Sequence, residues 1–429
     1  MGFAVFLLLN AVLYIRPGDL VPALESVPLY AIVIVACLFL SFPRVLDQLN
    51  PPALKDNPIT ACVLALFSVT VLSELFRARL DAAYEAAELL VKTAVYFLLL
   101  VGLVDTPRKM RWFLRSMLAC GTLILSLAVA DYLGIVSVPG MHTTVETVMV
   151  DGESVEERRL GTTSIFGDPN DCALFVNHCI LIAVYLVLDG GGPPAVRVLW
   201  VAPMVFCGYA LALTQSRGGL ASLVAGLAAY CVGRFGRKAV IIAGPFLPVL
   251  LALFGGRQGS GGLTSGTGQQ RVQIWTEYFG FFRDNPLSGV GWNRGVEAVG
   301  FVSHNSYLQA YGEQGFFAGT LFVGSFYLAF RSFGKLMTRP DPKAVVTEAA
   351  RLRPCLMGVV VSQVLGMMAL TRNYDLPTYT VLGLAAAYAR FARVDPPLPT
   401  GGRLAKHLLA ASALFLVYIL FVIKLSVRF

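Results

Sequence analysis

The chain has 429 residues, of which 56% are apolar and only 14% are charged, whereas a soluble protein carries about 25% charged residues. The missing charge predicts that most of the surface faces lipid, which excludes a soluble globular protein. The net charge of +8 does not indicate a nucleic acid partner, because basic residues gathered in short loops are typical of the cytoplasmic side of membrane proteins.

Apolar stretches recur along the whole chain, and nearly all reach the roughly 17–25 residues that cross the hydrocarbon core. They predict an all-α polytopic bundle of about 12 or 13 spans, with no separate soluble domain. The predicted spans are 3–15, 27–42, 58–75, 84–104, 112–134, 170–188, 196–214, 218–234, 238–255, 304–331, 353–370, 377–392 and 407–425. The first has no small-residue cleavage site after it, so we expect a retained span.

The chain is therefore expected to have three parts. About nine spans fill 1–255, a large loop with short amphipathic helices follows at 256–303, and the remaining spans occupy 304–429.

Basic residues concentrate in alternate loops, which the positive-inside rule assigns to the cytoplasm. The opposite loops then lie on the outer side of the membrane, which is the periplasm if the organism is Gram-negative. We expect a multi-pass protein of the bacterial inner membrane. These outer loops are 16–26, 76–83, 135–169, 215–217, 256–303 and 371–376.

Every basic residue in the outer loops is an arginine. They are Arg16, Arg77, Arg79, Arg158, Arg159, Arg217, Arg257, Arg271, Arg283, Arg294 and Arg372. The planar guanidinium binds two phosphate oxygens at once, which lysine does not do. Codon bias is the alternative explanation, but it would act equally on the inner loops, which keep several lysines. We expect some of these arginines to bind phosphate.

The eight cysteines lie in or at the edges of apolar runs, and none forms a CxxC pair. This pattern favours small buried helix residues over disulfides or zinc ligands. His142, His178 and His407 show no metal-ligand spacing, so we expect neither a metal nor another cofactor.

The long outer loop begins with several glycines and then becomes amphipathic from about 269 to 282. Asp284-Asn285-Pro286 ends that helix, because this tripeptide is a turn signal. We expect 269–292 to form a lid or a re-entrant element, with Arg271 in its first turn.

His304 opens the next predicted span, where a histidine can act as a general base or simply as a polar cap. Arg217 lies in the very short outer turn Gln215-Ser216-Arg217-Gly218-Gly219. It is fixed there as an anion ligand or as an interfacial anchor.

Two other polar groups lie near or within spans. Asp168 and Asn170 precede the sixth span, where either can cap the helix or contact substrate. Glu88 and Lys92 are spaced i,i+4 within the fourth span. We expect them to form a buried structural pair rather than a catalytic one.

These motifs together resemble the O-antigen ligase and O-antigen polymerase family. The resemblance rests on Gln215-Ser216-Arg217-Gly218, on Arg271 four residues before Trp275, on Asn285-Pro286-Leu287-Ser288-Gly289-Val290-Gly291 and on His304-Asn305. Phe166-Gly167-Asp168-Pro169-Asn170 and Tyr14-Ile15-Arg16-Pro17 resemble the exopolysaccharide branch of the same family. The resemblance covers most of the chain, although a thirteenth span after residue 400 departs from the family's usual twelve.

The resemblance implies a metal-independent glycosyltransferase of the GT-C kind that uses an undecaprenyl-diphosphate-linked glycan at the outer face. Arg217 and Arg271 match the diphosphate-binding arginines, and His304 matches the catalytic histidine. Asn305, Asp168, Asn170 and Arg372 are expected as further substrate contacts. The acceptor would be a lipid A core or a growing glycan.

Two alternatives remain open on the sequence. A repeat-unit polymerase would use the same donor with a second lipid-linked glycan as acceptor. A secondary transporter or a glycolipid flippase would use Glu88 and Lys92 as a coupling pair. Transporters generally show paired repeats and broken helices near the midplane, whereas here no internal repeat is found, the polar candidates gather at one face and the loops are unequal in length.

Overall fold

The computed structural model describes residues 1–150, 153–191, 193–236, 238–239, 267–336 and 343–426. Almost all of the predicted span 238–255 and the glycine-rich start of the long loop lie outside the described residues.

Helices make up most of the described chain. They are α1 (Gly2–Ile15), α2 (Pro17–Leu20), α3 (Leu29–Leu49), α4 (Pro51–Asp56), α5 (Pro58–Phe76), α6 (Leu80–Leu103), α7 (Pro107–Tyr132), α8 (Pro169–Leu188), α9 (Pro194–Leu199), α10 (Val201–Thr214), α11 (Arg217–Phe235), α12 (Thr267–Asp284), α13 (Gly295–Val299), α14 (Ser306–Arg331), α15 (Lys343–Gly366), α16 (Leu376–Phe391) and α17 (Gly401–Ser426). The predicted helical class is confirmed.

Several helices begin at a polar residue whose side chain accepts a hydrogen bond from the first turn. These residues are Asn57, Thr106, Asp168, Ser216 and Asn305. The first three are each followed by proline, whose missing N–H costs nothing at that position. Four of these helices start within two residues of the predicted spans, whereas α7 starts at Pro107, five residues before the predicted 112. The expected capping by Asp168 is confirmed.

Eight helices of the described chain are long and apolar enough to cross a membrane, so the protein is a multi-pass membrane protein. Helices α14, α15 and α16 match predicted spans but are not among the eight. Helix α16 is only 16 residues long, and polar side chains lower the hydropathy of the other two.

The contacts divide the chain into two compact units. The first contains Met1–Phe42, Leu103–Phe254 and Lys343–Gly366, and the second contains Pro43–Gly102, Gly255–Pro342 and Met367–Phe429. The three parts expected from the sequence are continuous segments of the chain. The two units are instead defined by contacts between residues, and each unit combines three separate segments.

In the first unit, α8 is the central helix and packs against α7, α10, α11 and α15. Helices α11 and α15 approach closely at two glycines. A Cβ on Gly226 would lie 2.9 Å from the Gly358 carbonyl oxygen, and a Cβ on Gly358 would lie 2.8 Å from the Gly226 oxygen. Small residues allow backbones to meet in this way, as is common between membrane helices.

The first unit also contains an antiparallel hairpin of β1 (Thr143–Val150) and β2 (Glu153–Leu160), in which Thr143 lies opposite Leu160. This hairpin occupies a predicted outer loop and was not expected.

In the second unit, α14 is the central helix, and α5, α12, α16 and α17 pack against it. A short pair of strands, β3 (Lys335–Leu336) and β4 (Val394–Asp395), lies beyond its carboxyl end.

Candidate active site

His304 lies in a tight turn at the start of α14, in the second unit. Its backbone is left-handed, with φ of 50°, a conformation that costs a residue other than glycine about 1–3 kcal/mol. The His304 N–H donates to Thr371 Oγ1 at 2.9 Å. The next residue, Asn305, caps α14 by accepting from the N–H groups of Tyr307 and Leu308 at 3.2 and 3.1 Å. The turn that carries the half-exposed imidazole is thus held by the bond to Thr371 and by the cap at Asn305.

Ser306 joins this turn to the loop that precedes α16. Its N–H donates to the Met367 carbonyl at 3.0 Å, and its hydroxyl donates to the Leu370 carbonyl at 2.7 Å. The same hydroxyl accepts from the Arg372 N–H at 2.8 Å. The structure therefore brings together three sequence-predicted residues, His304, Asn305 and Arg372.

Helix α12 carries Arg271 and contacts the same turn. Trp275 Nε1 donates to the Ser303 carbonyl at 3.0 Å, and Tyr278 OH donates to the Phe301 carbonyl at 3.3 Å. Arg271 precedes Trp275 by four residues, so the two lie on one face of α12 about 6 Å apart along its axis. The predicted amphipathic helix is present, and it is docked on the unit rather than free.

Glu313 lies buried in α14 and holds two loops in place. Its carboxylate accepts from the Asn293 N–H at 3.2 Å, the Gly295 N–H at 3.1 Å and Tyr374 OH at 2.5 Å. Burial and the neighbouring carboxylate raise the pKa of the Tyr374 phenol well above its ordinary value. The phenol therefore remains a hydrogen-bond donor at all physiological pH values.

Helix α14 breaks two residues later. Gly315 has φ of 80°, and a Cβ there would collide with the Leu287 carbonyl. The break lets the return segment, residues 286–291, lie against the helix backbone: Val290 N donates to the Gly312 carbonyl at 2.9 Å and Phe316 N to the Pro286 carbonyl at 2.7 Å.

Arg77 and Arg79 fasten the return segment to the end of α5. Arg77 Nη2 donates to Ser288 Oγ at 3.1 Å, and Arg79 Nη1 donates to the Val290 carbonyl at 3.0 Å. Glu74, which is also buried, accepts from the Trp292 N–H at 2.6 Å. These two arginines therefore bind the protein itself.

Arg217 lies in the first unit, at the first residue of α11, with its side chain exposed. The turn before it is held by a network in which Asn170 Oδ1 accepts from Ser216 Oγ at 2.8 Å and from Arg159 Nη2 at 3.1 Å. Arg159 Nε also donates to the Thr214 carbonyl at 3.1 Å. The structure thus brings the sequence-predicted residue Asn170 to the same turn as Arg217.

Asp168 completes this arrangement from the start of α8. Its carboxylate accepts from the N–H groups of Asn170 and Asp171 at 2.8 and 3.4 Å, which fixes the backbone that presents the Asn170 amide.

Most of the outer arginines that the structure describes contact protein groups. Besides Arg77, Arg79 and Arg159, four form ion pairs with nearby carboxylates: Arg16, Arg283, Arg294 and Arg372. The exclusive use of arginine in the outer loops therefore reflects internal bonding as well as any phosphate binding.

The Glu88–Lys92 pair forms, with 2.5 Å between its charged atoms, but the expected burial is wrong because about half of each side chain is exposed. Both residues lie on the face of α6 opposite the buried Ala86 and Leu90.

Sequence reasoning missed Glu313, Glu74 and the hairpin. Glu313 could have been noticed in Gly312-Glu313-Gln314-Gly315, where a charge and two glycines interrupt an apolar run. The hairpin could have been predicted from Asp151-Gly152, a turn dipeptide between two stretches rich in valine, threonine and glutamate.

No three His, Cys, Asp or Glu side chains in the described part of the chain lie close enough together to hold a metal ion. The expectation of metal independence stays a prediction.

These features define a multi-pass helical membrane protein whose polar turns carry exposed or half-exposed arginine and histidine side chains. Residues 202–323, which include Arg217, Arg271 and His304, match the model of the family described as O-antigen ligase. This match confirms the resemblance over that part of the chain and supports glycosyl transfer of the O-antigen ligase or polymerase type. It also implies lipid-linked glycan substrates. No curated protein matches the chain.

Replacing Glu313 by alanine is expected to destabilise the second unit. The change removes the acceptor of the buried Gly295 N–H, of the Asn293 N–H at an exposed residue and of the Tyr374 phenol, and a buried unpaired group costs about 1–3 kcal/mol. The midpoint of unfolding in detergent should therefore fall clearly. Glu297→Ala is the matched control, because Glu297 is exposed and pairs only with Arg294; equal midpoints for the two variants would contradict the role of Glu313.

Proposed function

We propose that the protein transfers a glycan from undecaprenyl diphosphate to an acceptor hydroxyl at the periplasmic face of the bacterial inner membrane. Arg217 and Arg271 bind the diphosphate, and His304 accepts the proton of the acceptor hydroxyl. The observation that carries this proposal is the turn at His304. A strained backbone, fixed by Thr371 and Asn305, presents a half-exposed histidine beside the loop of Arg372 and the docking point of α12.

The reaction breaks the bond between the anomeric carbon and a phosphate oxygen and forms a bond from that carbon to the acceptor oxygen. The acceptor proton passes to the imidazole, and the diphosphate leaves on the prenyl chain. Because diphosphate is a good leaving group, the enzyme needs no strong general acid. It needs positive charge where negative charge grows and a base for the acceptor.

The surroundings of Arg271 support its role. It lies half-buried on the face of α12 that also presents Trp275 to the His304 turn. An arginine on a docked helix loses little freedom when it binds, and preorganised charge of this kind is the largest single contribution in many enzymes.

The surroundings of Arg217 support the same role independently. The guanidinium projects from the amino-terminal end of α11, where the helix dipole favours an anion. The backbone around it is fixed by the bonds among Ser216, Asn170 and Arg159.

Arg159→Ala is expected to lower the rate of transfer by roughly tenfold, because it removes charged hydrogen bonds worth about 1.5–3 kcal/mol from the turn that presents Arg217. The rate should be measured beside that of Arg158→Ala. Arg158 lies over the Tyr132 ring and makes no side-chain bond to this turn in the described structure. A loss that is the same in both variants would show that Arg159 does not act through the turn.

The acceptor distinguishes a ligase from a polymerase, and the family match covers both. Purified protein should be given the lipid-linked donor together with either a lipid A core acceptor or excess donor alone. We expect a single product on the lipid A core. A ladder of repeat units formed from donor alone would instead establish the polymerase, and no transfer to either acceptor would overturn the proposal.

A further inference from the structure

Helix α17 packs antiparallel to α14. Near the start of α17, His407 Nδ1 lies 2.7 Å from Tyr327 OH. In the middle, Ser412 Oγ lies 2.9 Å from Thr320 Oγ1. Further along, the Phe415 ring is 5.4 Å from the Tyr307 ring. Later residues of α17 therefore contact earlier residues of α14. The carboxyl end of α17 lies near the start of α14, which follows the His304 turn.

The last contacts of α17 reach α12, the helix of Arg271. Ile419 and Ile423 form one buried cluster with Ile274 and Tyr278 of α12 and with Leu308 of α14. Ile419 and Tyr278 are fully buried, and Ile274 is 5% exposed.

Through this cluster, α12 packs against α17 as well as against α14. Helix α12 packs on α14 and is bonded to residues 301 and 303 through Tyr278 and Trp275. Ile419 and Ile423 add a contact from α17 within one turn of Arg271, since Ile274 and Arg271 are three residues apart.

We propose that α17 is a positioning element for Arg271, acting through Ile419 and Ile423, and that its carboxyl end lies on the same side of the membrane as His304. The first part rests on the proposed function of Arg271, while the second rests on the contacts alone. Helix α17 then crosses with Arg403 and Lys406 on the side opposite His304, which agrees with the positive-inside rule, and it carries Lys424 to the His304 side.

The positioning role is tested with the double variant Ile419→Ala/Ile423→Ala. Its matched control is Leu414→Ala/Val417→Ala, which shortens two side chains of the same helix that are 73% and 64% exposed. We expect the double variant to lower kcat/KM for the lipid-linked donor at least tenfold and the control to change it less than twofold.

To distinguish a loss of Arg271 positioning from a general loss of structure, both double variants are also made in an Arg271→Lys protein. Residues that act through one another are non-additive, so the Ile419/Ile423 change should cost less than threefold in that background. A further tenfold loss there, or equal losses for the double variant and its control, would overturn the positioning role. If Arg271→Lys and Arg271→Ala both kept full activity, the proposed function of Arg271 would fail instead.

The sidedness is tested with single cysteines and a membrane-impermeant thiol reagent on intact cells and on inverted vesicles. Lys424→Cys and Arg283→Cys should react from the same side, and Lys406→Cys only from the opposite side, with the unsubstituted protein as the blank. All three positions are exposed. Labelling of Lys424→Cys and Lys406→Cys from one side would overturn the orientation.

Discussion

Replacing His304 by alanine is expected to lower the rate of transfer by roughly 100- to 10,000-fold, the range that general acid–base catalysis contributes. The hydrogen bond from the His304 N–H to Thr371 and the cap at Asn305 do not involve the imidazole, so both remain possible in the variant. The loss should appear in kcat, with little change in the KM for the donor, because the base acts on the acceptor in the transition state. The assay is transfer by purified protein over a range of donor concentrations that extends to saturation.

His142→Ala is the control for this variant, since His142 is exposed and lies in the first unit. It should retain the wild-type rate. A His304→Ala protein that transfers glycan at a near wild-type rate would rule out the histidine as the base.

Replacing Arg271 by alanine is expected to lower the rate by about 100- to 1000-fold, as for the loss of one preorganised donor to developing charge. Lysine at this position restores the charge but not the paired hydrogen bonds, so Arg271→Lys should recover only part of the activity. The measurements are kcat and KM for the donor, together with donor binding.

Arg283 offers a matched control on the same helix, because it is exposed and pairs with Asp284. Arg283→Ala should leave transfer within about twofold of wild type. If Arg271→Ala and Arg283→Ala behaved alike, the diphosphate would have to be bound elsewhere.

The spans could be predicted because a run of apolar residues long enough to cross a bilayer has few alternatives to a helix. The boundaries followed from caps and prolines, as for α8, where a start at 170 was predicted and Pro169 is observed. The helix of Arg271 was predicted from its periodicity, but its partners Ile419 and Ile423 were not, because they lie about 150 residues further along the chain.

Separation in the sequence also explains why the protein partners of the outer arginines were not predicted. Arg77 belongs to the outer arginines, some of which were expected to bind phosphate, but it bonds to Asn285 and Ser288, which are 208 and 211 residues away in the sequence. A single sequence contains no signal for pairs this remote. It does reveal which arginines are fixed by local geometry, as at Arg217, where a two-residue turn joins two helices.

Glu313 illustrates a different limit. A carboxylate within an apolar run is costly unless it is bonded, and this signal at Glu313 was overlooked. Its role as an acceptor for Asn293, Gly295 and Tyr374 depended on the break at Gly315, which cannot be read from an isolated glycine.

The identity of the lipid product tests the proposed reaction most directly. Purified protein should be incubated with the glycan-linked undecaprenyl diphosphate and an acceptor, and the released lipid identified by mass. Cleavage between the anomeric carbon and the phosphate oxygen predicts undecaprenyl diphosphate, equal in amount to the transferred glycan and lost in His304→Ala. Release of undecaprenyl monophosphate, or movement of the intact lipid-linked glycan across the membrane without release, would contradict it.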